Sequence, residues 1–342
     1  MNKPAEILSI SPPYAIPGGE IAIECAGFTV GRDGSHGCTV GGRPSRLVAA
    51  SSDRVLAVVP DDVERDEADL VLESDGHASD AFPITVGELL IDDMHIVANP
   101  AIDPKDDSLI VTRSGSRGQT LPTTLFRLEA DGYVDEMPAQ VINPTGIAFD
   151  REGTLFVTNR SDGWVVKIER GEDATTYAAG LGVATGLAFD EAGTMYVGDR
   201  SGTIYRIPEP GFTETFAVLE PSVAAYHMAF GPDGRLYVTA PALASHDAVH
   251  VIDPDGTVDK YYRGFGRPQG LAFDIDGNLY VAASFRGRHG IVRITPGAES
   301  AEMFVAGRNI IGLCFTRAGD MVVATGNAAY SLPLGIYGTL LE

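Results

Sequence analysis

The chain has 342 residues, with 47 acidic side chains against 25 basic ones and a formal net charge of −22. That length suits one large domain and a small one. The charge argues against nucleic acid as a partner, because phosphate backbones are held by clustered Lys and Arg. No apolar run is long enough to cross a bilayer, so no membrane partner is expected.

The N-terminal Met1-Asn2-Lys3-Pro4 enters a strand-like run directly, without the apolar centre of a signal peptide, which predicts a cytoplasmic location. Residues 5–87 then give short alternating runs punctuated by Gly and Pro. They are Ile7-Leu8-Ser9-Ile10, Ile21-Ala22-Ile23-Glu24-Cys25, Thr39-Val40, Val55-Leu56-Ala57-Val58 and Leu70-Val71-Leu72. This pattern predicts a small β-sandwich over residues 1–87, with a boundary near Val86-Gly87-Glu88. Cys25, Cys38 and Cys314 are too few and too scattered for a disulfide framework or a zinc site. Buried thiols are expected, and a Cys25–Cys38 pair stays open only for an exported protein.

A different pattern takes over over residues 88–342. Pro144-Thr145-Gly146-Ile147-Ala148-Phe149-Asp150 leads through Gly153 to Leu155-Phe156-Val157. The same pattern returns around Phe189, Phe230, Phe273 and Phe315, with a weaker first copy around Ile102, at intervals of 47, 40, 41, 43 and 42. Each copy reads as an apolar run, an Asp/Gly turn, an aromatic and β-branched run, then two more polar runs. Four short strands in each of six units, with no sustained helical period, predict a six-bladed β-propeller. The whole chain is thus expected to be all-β, with an N-terminal Ig-like sandwich before the propeller. Closure of the ring is expected from Leu89-Leu90-Ile91 or from Gly335-Ile336-Tyr337. Residues 114–124 and 240–247 lengthen the first and fourth units, where function is commonly added.

The six copies resemble the NHL-repeat and regucalcin/gluconolactonase propellers. The Ser-Ile-Ser-Pro, Pro-Gly-Gly and Gly-x-Phe order of the first segment resembles the IPT/TIG immunoglobulin-like domain, in which such units are spacers or interaction modules. The propeller resemblance implies that the residue before the motif glycine faces the top of a central channel. Those residues are Ala98, Thr145, Thr185, Tyr226, Gln269 and Ile311, and the glycine itself is replaced by Asn99 and His227 in the first and fourth units. It also implies a divalent metal held at four of these positions, here Ala98, Thr185, Tyr226 and Gln269. None is a carboxylate, so no cofactor is predicted, and a divalent metal stays open only without the ligands that the resemblance implies. The related amidating lyases hold zinc with three His, and only His227 lies in this ring.

Two readings of Tyr226 and His227 stay open: an acid–base pair, or packed residues at a strand start. Arg113, Arg160 and Arg200 follow second strands at nearly equivalent places, with Arg286 slightly later and Arg288-His289 close behind. They are either a wall that orients an anion or inter-blade ion pairs. The leading expectation is a gluconolactonase-like hydrolase acting on a small polar or anionic substrate. Tyr226 and His227 would catalyse, and Asn99, Arg113, Thr145, Arg160, Thr185, Arg200, Gln269 and Arg286 would bind. The alternative is a non-enzymatic ligand-binding or protein-interaction scaffold, with protein contacts through the sandwich.

Overall fold

Alternation along the N-terminal segment folds into two sheets over a shared core. The computed structural model describes residues 4–30, 36–63, 67–115, 119–242 and 247–339. One sheet orders Glu6–Ser11, Glu20–Ala26, Arg54–Val58 and Arg46–Ala50. The other carries Tyr14–Ala15, Phe82–Val86, Glu67–Ser74 and His36–Val40. In Glu67–Ser74 every second side chain, Ala68, Leu70, Leu72 and Ser74, is buried, as the two-residue period of a strand requires. Ile21, Ile23, Val55 and Leu70 fill the core with Cys25 and Cys38, which are free thiols. Burial pushes the Cys38 thiol up to about 12.

From Glu88 onward the chain forms consecutive four-stranded antiparallel meanders. Their first strands are Ala101–Ile102, Pro144–Phe149, Ala184–Phe189, His227–Phe230, Leu271–Phe273 and Ile310–Phe315. Each first strand touches the next, and the last touches the first, so the sheets stand around one axis as a β-propeller. The last meander draws its outer strand, Glu88–Ile91, from before the first unit, with Glu88 opposite Ser331 and Leu89 opposite Tyr330. Of the two closing segments considered, the N-terminal one makes the join. The other runs beside the fifth unit instead: Gly338 bridges to Asp274, and Tyr337 accepts a bond from the Ile275 amide at 2.9 Å. Residues 116–118 and 243–246, within the two lengthened loops, and 340–342 lie outside the described residues.

The repeat motif has a local cause. The Asp150, Asp190 and Asp274 carboxylates accept bonds from the amides four residues on, at 2.7, 2.8 and 2.8 Å. Gly153, Gly193 and Gly277 take φ of 72°, 84° and 81°, which their lack of a Cβ allows. The motif phenylalanines then meet the preceding unit ring to ring. Phe189 meets Phe156 at 5.2 Å, Phe230 meets Tyr196 at 5.1 Å, Phe273 meets Tyr237 at 4.8 Å and Phe315 meets Tyr280 at 5.3 Å. Phe273, Phe315 and Ile102 are buried, while Phe149, Phe189 and Phe230 are half-buried, less than a uniform repeat predicts.

The two parts of the chain share a sheet. Tyr14–Ala15 pairs in parallel with Phe82–Val86 on one side and with Ala301–Ala306, the outer strand of the fifth meander, on the other. The Ile16 amide donates to Ala306 O at 2.9 Å, and its side chain packs among Tyr280, Val305 and Ile310. A Cβ at Gly19 would lie 2.4 Å from Ala306 O, which is why glycine stands there. Arg288 donates to Ser11 O and Glu20 O, and Arg308 Nε to Gly18 O at 2.8 Å.

Candidate functional site

Within each meander the start of the first strand and the end of the second lie side by side, as in the pairing of Pro144 with Asn159. That face collects the residues singled out from the sequence. Thr145 and Thr185 are fully buried, and their hydroxyls are already engaged. Thr145 Oγ1 donates to Ala184 O at 3.0 Å, and Thr185 Oγ1 to Gly198 O at 3.0 Å. Thr158 Oγ1 donates to Thr185 O at 2.5 Å, and the Thr239 hydroxyl to Gln269 O. Gln269 Nε2 reaches Ile310 O at 3.4 Å. These groups tie neighbouring units together, so Thr145, Thr185 and Gln269 all have structural bonds in the fold.

Asn99 reaches further. Its Nδ2 donates to Leu271 O and its Oδ1 accepts from the Leu313 amide, both at 3.3 Å. It thereby links the first unit to the fifth and sixth. A Cβ at Gly270 would fall 2.1 Å from Asn99 Oδ1, and one at Gly312 2.5 Å from it. Asn99 therefore packs in a space that two glycines leave for it.

Tyr226 and His227 are also inside the fold. Tyr226 is 0% exposed, and its hydroxyl donates to Glu220 O. Burial, with Asp199 and Glu220 nearby, pushes its phenol up to about 12. Its ring fits because the third unit has Gly198 where the second and fourth have Thr158 and Thr239: a Cβ at Gly198 would touch Tyr226 Cβ at 3.0 Å. His227 is 4% exposed, and burial holds its imidazole down at about 4, neutral near pH 7. No described residue hydrogen-bonds its ring. Both residues that the sequence suggested for acid–base chemistry are thus buried.

The four arginines separate. Arg286 takes φ 50° at a hairpin tip, exposed, with its guanidinium 4.8 Å from the Phe285 ring. Arg113, Arg160 and Arg200 are half-buried, and no described carboxylate lies within ion-pair distance of any of them. Burial, and then the Arg200 charge, pull the Arg160 guanidinium below its ordinary value. Arg200 donates to Val223 O at 3.0 Å, while its Nε is buried without a partner. Asp199, the carboxylate next to Arg200 in the chain, is engaged by the Val183 amide at 2.8 Å and by Ser201. What the face offers is thus two half-buried guanidiniums that feel each other's charge and have no described carboxylate partner.

A cavity of about 70 Å³ lies between the first and second units, lined by Thr124, Gln140, Val141 and Asn143, whose carbonyl accepts from the Arg160 amide at 3.4 Å. It holds little more than water, far below the hundreds of Å³ of a ligand pocket. Among the described residues no three His, Cys, Asp or Glu side chains are placed to hold a metal. Ala98 has no donor and Tyr226 is turned to Glu220, so the residues present do not fit the metal that the resemblance implied. Sequence reasoning missed a second feature on the same face. It is a cleft between the N-terminal unit and the sixth meander, whose walls lie too far apart in the chain for any local pattern to join them.

No protein-family model matches the chain, and no curated protein sequence does. Solved structures do. A gluconolactonase of Xanthomonas campestris is 17% identical, with a TM-score of 0.60, over 78% of this chain and 90% of that one. An auxiliary nutrient binding protein of Bacteroides thetaiotaomicron is 15% identical, with a TM-score of 0.54, over 96% and 98%. A virginiamycin B lyase of Staphylococcus aureus is 13% identical, with a TM-score of 0.54, over 91% and 98%. At these identities the similarity is one of fold, and the shared fold is the β-propeller.

Proposed function

We propose that the chain is a six-bladed propeller, residues 88–342, carrying an immunoglobulin-like sandwich, residues 1–87. In this reading the propeller binds a small anionic molecule on the face where Arg160 and Arg200 stand. The observation that carries it is the Arg160–Arg200 pair itself, half-buried, mutually repelling and without a carboxylate in a chain of net charge −22. An anion between them relieves the repulsion and accepts bidentate bonds from both forks. Arg200 Nε, buried without a partner, is a donor that such a ligand would satisfy. Binding without catalysis is favoured because Tyr226 and His227 are enclosed and neutral.

Lactonase-type hydrolysis is the second reading. Two guanidiniums of this kind would stabilise the oxyanion that forms when water attacks a lactone, and would hold the hydroxy-acid product. One set of measurements separates the readings. Calorimetric titration with gluconate should show saturable binding that weakens as salt is added. Arg160→Ala, which loses no side-chain bond to a described residue, should reduce affinity roughly tenfold or more while the melting temperature barely moves. Glucono-δ-lactone should open no faster with the protein than without it. A rate enhancement abolished by Arg160→Ala would favour the hydrolase, and failure of gluconate, phosphate and citrate alike to bind would refute both.

A further inference from the structure

The cleft at the junction of the two units has a volume of about 310 Å³, the lower end of what a small-molecule site requires. One wall is the N-terminal unit, with Gly18 and Asp61. The other belongs to the sixth meander, with Arg308 and Asn309 ahead of Ile310–Phe315 and Asn327 and Tyr330 beyond Asp320–Thr325. Asp61 Oδ1 and Arg308 Nε both approach Gly18, at 3.6 and 3.9 Å from the position of a Cβ there. Yet the two do not pair with each other, and Asp61 pairs with no described cation. Arg308 donates through Nε to Gly18 O, leaving its terminal nitrogens without a described partner. The side chains of Asn309 and Asn327 and the Tyr330 hydroxyl likewise bond to no described residue. The Tyr330 phenol is held above its ordinary value by burial, then by Asp61 and Asp92, so it remains a hydrogen-bond donor.

We propose that this cleft is a binding site for a small zwitterion of the free α-amino acid class, which bridges the N-terminal unit and the propeller. The charge arrangement selects the class. A simple anion that reached Arg308 would face Asp61 at the same time, and a simple cation that reached Asp61 would face Arg308. Both side chains are exposed, so a neutral polyol would only replace the water that now solvates them and gain no charge–charge attraction. A molecule carrying an ammonium and a carboxylate one carbon apart answers both: the carboxylate takes the Arg308 fork, and the ammonium takes Asp61 with an Asn carbonyl. The site is distinct from the Arg160–Arg200 pair, which belongs to the second and third units.

The test is isothermal titration of the full chain with the common L-α-amino acids, each beside its N-acetyl and its amide derivative. At least one free amino acid should bind saturably, and both derivatives should bind at least tenfold more weakly. Asp61→Asn removes charge without removing any bond to a described residue, so the fold is retained, and it should weaken binding roughly tenfold. Arg308→Gln should do the same, with its folding checked by circular dichroism. The proposal is overturned if no free amino acid binds, if a blocked derivative binds as well as its parent, or if Asp61→Asn binds like the wild type.

Discussion

His227 shows what one residue out of step with a repeat can do. At the equivalent positions Gly146 and Gly186 face a neighbouring carbonyl, 2.2 and 2.4 Å from where a Cβ would lie, and the fourth unit instead accommodates an imidazole. Enclosure makes the proton the sensitive element. The unfolded chain takes up a proton near 6.5, whereas the folded chain refuses it until about 4. Stability must therefore fall as pH drops between those values, and this group adds no further dependence above or below them. The full loss is on the order of 3 kcal/mol. Urea unfolding at pH 7 and pH 4.5 should show that loss in the wild type and most of it missing in His227→Asn, which carries the residue of the first unit. His250, also held low by burial and then by Lys260, is present in both proteins and cancels. Parallel losses in the two proteins would show that His227 is not the titrating group.

Among elements, the ring contacts between units do the work that the repeat advertised. The second-strand aromatic of one unit sits against the motif phenylalanine of the next and a fourth-strand aromatic of its own, as in Tyr280 with Phe315 at 5.3 Å and Phe304 at 5.3 Å. The first unit has Ile110 and the sixth Val322 where the second to fifth have an aromatic, so Phe149 has no ring to meet. Phe315→Ala should therefore cost about 3–5 kcal/mol and Phe149→Ala clearly less, as read by urea unfolding. Equal costs would mean that the rings are not the joint. This level of the fold was legible because Asp, Gly and aromatic positions act through local turn chemistry and a fixed strand period. The site was less legible. Whether a Thr hydroxyl at 145 or 185 looks into a channel or across to a neighbouring carbonyl depends on where the next unit lies, and no local pattern carries that. The arginines were visible as a repeated placement. That Asp199 turns away to Ser201 and leaves Arg200 unpaired was not.

For the whole molecule, the informative join is the short Tyr14–Ala15 strand. The alternation of residues 5–87 and the change of pattern at Glu88 describe two units, and units joined only by a linker commonly move independently. Here the sheet of the first unit runs through Tyr14–Ala15 into the fifth meander, and the strand that closes the propeller, Glu88–Ile91, begins two residues after Phe82–Val86 ends. Melting the first unit frees the edge of Ala301–Ala306, withdraws Ile16 from the propeller core and loosens the closing strand. A single calorimetric transition is therefore expected for the intact chain. Gly19→Val places a side chain against Ala306 O, where even a Cβ would stand at 2.4 Å, so the shared sheet must part locally. The variant should melt at lower temperature, with its transition broadened or split as the two units begin to unfold separately. Two resolved transitions in the wild type, or an unaltered thermogram for Gly19→Val, would mean that the shared sheet does not couple the two units.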